Sequence, residues 1–310
     1  WISAWLAHQR ALGRGYDGEA WVLGRLRRFI ATIPAPDLDS EGFDLWCASF
    51  QDLSATTRRG RQRMVRKFCL YRQRTEPECY VPDPLYFVRL RPYRGPVIVG
   101  PEHIAGMLGV ADRLVCTPSS PLLSSVMRLA VVLLYTAGLR RGELVRLTLK
   151  DVEPKTGLLR IHESKFHKSR LVPLSREAGE ELLVYLKRRL VRPHDITPEA
   201  PLLCHGRGGY TGAGMRQAID RLFVAAKVVD DEGRRPRVHD LRHSFAVGAL
   251  TRWYREGADV QTNLTKLAMY MGHVSIVSTA HYLHFVPTLR ELASDRFEAA
   301  FGGLVGEFPA

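Results

Sequence analysis

Lys150-Asp151-Val152, Leu158-Leu159-Arg160-Ile161-His162 and Arg170-Leu171-Val172-Pro173-Leu174 are three short β-type segments in a chain that otherwise reads as helix. Lys155-Thr156-Gly157 separates the first two, and the run from Lys165 to Lys168 separates the last two, which is hairpin spacing. Strands joined by turns this short pair antiparallel. Helical periodicity flanks them on both sides. It covers residues 101–114 and 121–137 before them, the second apolar nearly all round and so expected to be buried. After them it covers 176–190, 212–228, 238–257, 262–271, 275–281 and 288–301. The fold expected is mainly α with a small antiparallel β-sheet.

Upstream, the chain reads as four helices. The first covers 2–12. The second covers 18–33, with Trp21, Leu26, Phe29, Ile30 and Ile33 at helical spacing, and Pro34 and Pro36 end it. Asp39 or Ser40 caps the third, which carries Phe43, Trp46, Cys47 and Phe50 on one face. Ser54 opens the fourth, 55–74, whose stripe of Met64, Val65, Phe68 and Tyr71 is apolar. The rest of that helix is Arg58, Arg59, Arg61, Arg63, Arg66, Lys67, Arg72 and Arg74 with no acid among them. Like charges on adjacent turns repel, so this face is expected to answer an external anion, and DNA contact is assigned to Arg58, Arg59, Arg61, Arg63, Arg66 and Lys67. Six prolines between 77 and 101 mark an extended connection. The division expected is a helical domain over 1–92, a linker over 93–100, and a second domain over 101–310.

The charge balance fits a polyanionic ligand. The 310 residues carry 45 Lys+Arg against 32 Asp+Glu, a formal +13, and 37 of the 45 are arginine, the better fork for phosphate. Residues 1–98 hold +6 and the remainder +7, so both halves are expected to touch that ligand. A hydrophobic content of 45% excludes a disordered chain. No apolar run is long enough to span a bilayer, and five scattered cysteines without a CxxC pair read as reduced thiols of a cytoplasmic protein and argue against zinc. Gly206 to Gly212 is glycine-rich but lacks the Gly-Lys-Ser/Thr of a phosphate loop, and is expected to be a flexible connection into the next helix.

Four segments of the second domain pair apolar residues with fixed polar groups. They are Ala137-Gly138-Leu139-Arg140-Arg141-Gly142-Glu143-Leu144, Ser164-Lys165 before Arg170-Leu171-Val172-Pro173-Leu174, His239-Asp240-Leu241-Arg242-His243-Ser244-Phe245-Ala246, and Gly272-His273 with Tyr282 nine residues on. Taken singly, each has a bland reading: an arginine capping a helix end, a solvated turn, a core histidine, a packed tyrosine. Together they hold what metal-free phosphoryl transfer needs. Two guanidiniums can neutralise the charge that builds on non-bridging oxygens, and a lysine can protonate a leaving oxygen. A phenol can attack phosphorus and leave again.

In order and spacing these four segments resemble the tyrosine recombinases, the family of phage integrases and Xer-type recombinases. The resemblance implies a helical core-binding domain followed by a mixed α/β catalytic domain, and covers about 100–290 well. It implies that Arg140 and Arg242 clamp the scissile phosphate and that Lys165 is the general acid. It implies that His239 handles the proton of the phenol or bonds the phosphate, and that His273 adds a phosphate contact. It further implies that Glu143 orients the arginines and that Tyr282 becomes a 3′-phosphotyrosine. No metal or cofactor is expected. The implied partners are double-stranded DNA with specific recombination sites and further copies of the chain. Those copies form a tetramer in the synapse through a C-terminal helix (about 288–310) docked in trans, and accessory proteins can set direction. Lys168, Arg216 and Arg221 are candidate DNA contacts. The longer spacing before Gly272 resembles integrases of mobile elements. A type IB topoisomerase shares the chemistry, an inactive DNA-binding regulator shares the fold, and a metal-dependent nuclease would need clustered carboxylates that this chain does not show.

Overall fold

The computed structural model describes residues 1–13, 15–34, 36–90, 95–162, 169–191, 195–273, 275–284 and 294. The chain forms two compact units, Trp1–Arg94 and Gly95–Ala310. The first holds four helices: α1 (Ile2–Ala11), α2 (Asp17–Ile30), α3 (Ser40–Ala48) and α4 (Ala55–Arg72). Asp39 and Ser54 cap α3 and α4 through Gly42 N–H and Thr57 N–H, which fixes where both begin. Trp5, Leu23, Leu26, Phe43, Trp46, Val65 and Phe68 form the core. Trp21 is not part of it: the indole is half exposed, and the guanidiniums of Arg25 and Arg61 lie 5.2 and 4.9 Å from its ring centre.

Part of the basic face of α4 has internal partners that the sequence reading did not foresee. Arg59 donates to Val88 O (2.8 Å), Arg66 to Pro82 O (2.6 Å) and Lys67 to Tyr16 O–H (2.6 Å). Arg72 forks onto Asp37 and also reaches Glu76. These cations fasten the proline-rich segment and neighbouring loops to the helix, so like-charge repulsion along α4 is relieved within the protein as well as by any external anion.

In the second unit the described part of the expected linker, 95–100, is packed. Val97 and Val99 are buried, and Val99 N–H donates to Ser244 Oγ (2.8 Å). Helices α5 (Pro101–Asp112) and α6 (Leu123–Thr136) follow, with α6 buried nearly all round. A short α7 (Arg141–Arg146) precedes the sheet. The strands β1 (Val152–Glu153), β2 (Leu158–Ile161) and β3 (Arg170–Pro173) form one antiparallel sheet in that order, with Leu159 opposite Val172 and Ile161 opposite Arg170. Lys150-Asp151, read as strand, lies instead in a 3₁₀ turn (Leu149–Asp151), because Asp151 caps Thr148 through both its N–H and its hydroxyl.

After α8 (Arg176–Leu190) the glycine-rich stretch is a small hairpin rather than a loose connection. It comprises β4 (Cys204–His205) and β5 (Gly208–Gly209), and Gly206 N–H donates to Ser119 O. A Cβ at Gly206 would lie 2.9 Å from that carbonyl, which explains the glycine. The remaining elements are α9 (Gly212–Ala225), α10 (Val238–Arg255), α11 (Val260–Met271), α12 (Val277–Ala280) and a 3₁₀ turn, His281–His284. Residues 288–301, read as a helix, lie outside the described residues except Ser294. One core lies around α6; another joins α10 and α11 to Tyr282. Among the described residues no helix is long and apolar enough to cross a membrane, and no group of three or more His, Cys, Asp or Glu is placed to hold a metal ion.

Candidate active site

The site begins where α6 stops. Gly138 has φ +57°, and a Cβ there would lie 2.5 Å from the Phe245 ring, so the chain turns sharply only because this residue is glycine. The turn places Arg140 at the N-cap of α7 and Glu143 at its third position. The Glu143 carboxylate reaches back to Arg140 N–H (2.9 Å) and takes Arg140 Nη1 (2.7 Å). From β3, Arg170 forks onto the same carboxylate with Nη1 and Nη2, each at 2.9 Å. From α10, Arg242 Nη1 stands 4.0 Å away. Burial alone would raise the Glu143 pKa, but the hydrogen bonds and charge of Arg170, then those of Arg140, overrule it and bring it down to about 2.

Arg242, the fifth residue of α10, is 1% exposed, deep for an arginine so near a helix start. Its Nη1 donates to Gly138 O and its Nη2 to Met271 O, both at 2.5 Å. The arginine that satisfies the chain after α6 is therefore Arg242, not the adjacent Arg140. Burial and the neighbouring Arg140 charge push Arg242 down to about 10, so it stays protonated at neutral pH. Arg140 Nη2 donates to Gly272 O (2.9 Å).

Gly272, at φ +66°, ends α11 in the left-handed conformation, and His273 N–H returns to Ala268 O. That turn delivers His273, whose Nδ1 lies 2.7 Å from the hydroxyl of the buried Thr279. The His273 ring stacks on Tyr282 at 6.2 Å between centres. The His243 ring stands edge-on to Tyr282 at 5.3 Å and to His239 at 4.7 Å. Burial first, and then the nearby arginines, hold His273 down at about 4. Burial and the neighbouring His239 do the same to His243. His239, more open to solvent, is lowered as well by its surroundings and by Arg242. Two neutral imidazoles, His243 and His273, thus lie against a tyrosine that is 4% exposed, and His239 lies against His243.

The structure therefore brings together Arg140, Glu143, His239, Arg242, His273 and Tyr282. Lys165 and Lys168 lie outside the described residues. Arg216, exposed on α9, lines a cleft with Arg141, Arg235, Arg237 and His239. Arg221 is exposed on the same helix. Sequence reasoning assigned no role to Arg170, Thr279 or His243. For Arg170 a signal existed: alternation along β3 puts it on the face of the buried Val172, and an inward guanidinium needs a buried acid.

Residues 110–287 match the phage integrase family. The chain belongs to that family. It is a tyrosine recombinase, mostly helical with small antiparallel sheets. Over 297 residues it is 28% identical to a protein described as an integrase/recombinase, y4rE, of Sinorhizobium fredii, covering 95% of this chain and 94% of that one. A second from the same organism, y4rB, is 34% identical over 242 residues, 76% of each chain. The tyrosine recombinase XerD of Ralstonia nicotianae is 28% identical over 265 residues, 85% of this chain and 79% of that one. Among solved structures, the Tn1549 transposon integrase, in complex with a circular intermediate DNA, shares the fold. Its TM-score is 0.66 and its identity 18%, over 95% of this chain and 98% of that one.

Proposed function

We propose that this site-specific recombinase cuts and rejoins DNA through Tyr282, with a covalent 3′-phosphotyrosine intermediate, and that it serves a mobile element. The observation that carries the reading is a buried Tyr282 with the His243 and His273 rings against it, near the buried Arg242 and the half-buried Arg140 that Glu143 holds. In the attack, the phenolic oxygen forms a bond to phosphorus and the bond from phosphorus to the 5′-oxygen breaks. His239 accepts the phenolic proton, and Lys165 gives a proton to the departing 5′-oxygen. Arg140 and Arg242 hold the non-bridging oxygens, and His273 adds a contact. The phosphotyrosine conserves the energy of the broken bond, so rejoining reverses the same steps. With Tyr282 only 4% exposed, the 3₁₀ turn that carries it shifts when the phosphate arrives. Arg63, Arg216 and Arg221 are exposed and hold DNA phosphates away from the chemistry. The partners are duplexes carrying a recombination site, bound by several copies of the chain, with residues 288–310 docking in trans in a tetramer.

Sheared genomic DNA of the organism that carries the gene serves as the probe. After incubation and denaturation, the wild-type chain retains a small set of covalently attached fragments, whose sequences give the cleavage site. Tyr282→Phe retains none. An adduct that persists in Tyr282→Phe, or a wild type that forms none, refutes the reading.

A further inference from the structure

Nothing in the reaction above uses Arg170, although its guanidinium is as fully bonded as that of either phosphate-binding arginine. Its side chain is 10% exposed, and each of its three nitrogens donates to a protein oxygen. Nη1 and Nη2 fork onto Glu143, and Nε donates to Tyr270 O at 2.8 Å. The other two arginines continue the pattern along the same chain end: Arg242 reaches Met271 O, and Arg140 reaches Gly272 O. Three consecutive carbonyls at the end of α11 therefore each accept from one guanidinium, and all three guanidiniums converge on one carboxylate. The last carbonyls of a helix lack helical donors and form its electronegative end, which suits this arrangement. Gly272 lies against Arg170 so closely that a Cβ there would stand 3.0 Å from Nη1.

Of the three, Arg170 alone is tied to the sheet. We propose that Arg170 is a positioning residue of the cleavage reaction, a strut that fixes Glu143 and the end of α11 to β3 so that Arg140, Arg242 and His273 share one geometry. This rests on the reading of the site given above. Arg170 itself touches no phosphate, since its nitrogens are turned inward. Its removal leaves Glu143 with Arg140 from its own turn and with Arg242 at 4.0 Å from α10. Across the neighbouring cleft stand Arg146, Lys150, Arg160 and the Asp151–His162 pair. With the fork gone, the burial of the carboxylate is opposed chiefly by Arg140, so Glu143 takes a proton at higher pH and its hold on Arg140 weakens.

The test compares wild type, Arg170→Gln and Arg170→Lys on the duplex recovered by the covalent capture. Lysine keeps the charge but cannot fork, and so isolates the geometry. Duplex affinity changes by less than about threefold, because other phosphate contacts dominate it. The rate of adduct formation falls about a hundredfold in Arg170→Gln, the cost of a small misplacement of reacting groups. Relative to wild type, that rate falls further as pH is lowered from about 7.5 to about 5.5, and Glu143→Gln in the same chain abolishes the added pH dependence. Circular dichroism checks folding, and should the glutamine variant not fold, the lysine variant decides. A wild-type rate in Arg170→Lys, a loss of affinity in step with the rate, or a rate ratio independent of pH overturns the proposal. A wild type that forms no adduct overturns instead the reading of the site.

Discussion

Glu143→Gln tests whether the arginine cluster is held together by one ionised carboxylate. In the folded chain Glu143 is 1% exposed and takes four hydrogen bonds from Arg140 and Arg170, so its ionisation is coupled to folding. Its pKa falls from 4.5 to about 2. At roughly 1.4 kcal/mol per tenfold change in the proton-binding equilibrium, the ionised group contributes about 3 kcal/mol. Because the folded pKa is the lower one, that contribution is complete above pH 4.5 and is lost as pH falls from 4.5 through about 2. Glutamine offers one acceptor oxygen and turns an amide donor toward guanidinium donors, so it forfeits the contribution at every pH.

The stability difference between wild type and Glu143→Gln is therefore expected to be about 3 kcal/mol near neutral pH, with about 1 kcal/mol of it gone by pH 4 and about 2 by pH 3. His243 and His273, also lowered in the folded state, lose their contributions between pH 6.5 and about 4 in both proteins, so the change between pH 4 and pH 3 reads Glu143 most directly. Amide exchange of peptides spanning Arg140 to Leu147 and Arg170 to Leu174, measured against urea, reads the opening of this unit without mixing in the first. A difference that stays constant from pH 6 to pH 3 would refute the coupling, as would one below about 1 kcal/mol at neutral pH.

Two further outcomes follow from the same geometry. Gly138→Ala forces a Cβ into a left-handed residue 2.5 Å from the Phe245 ring and is expected to lower the urea midpoint by the equivalent of about 2 kcal/mol or more. Imidazole nitrogen spectra should show His243 and His273 neutral down to about pH 4, and Thr279→Val should shift the His273 signal alone by removing its hydroxyl partner; titration of either ring near pH 6.5 would contradict their burial beside arginines.

Much of this site was legible because its chemistry is local in sequence. Arg140 and Glu143 stand three apart at the start of a helix, so the pairing that the resemblance implied is local, and the structure shows it as a capping box. His239, Arg242 and His243 share one helix, and Tyr282 follows His273 at short range. The caps Asp39 and Ser54 were readable for the same reason. What was not legible depended on distant partners. The cations of α4 look orphaned in sequence, yet their acceptors are Pro82 O, Val88 O, Tyr16 and Asp37, up to 51 residues away. Arg242 shares a helix turn with His239, but its depth is set by carbonyls at Gly138 and Met271, 104 and 29 residues away.

Arg170 shows where the two kinds of information meet. Strand alternation turns it inward, and Glu143 is the acid that an inward guanidinium requires. What no spacing could supply is the third element, the end of α11, where Tyr270, Met271 and Gly272 present one carbonyl to each arginine. Repulsion among three guanidiniums this close would scatter them without a shared anion, and Glu143 alone, with two oxygens, cannot fix three orientations. The carbonyl row sets the orientations and the carboxylate offsets the charge. Because His273 follows directly on the last of these carbonyls, the groups that hold the phosphate cannot be placed independently of the histidine beside the nucleophile.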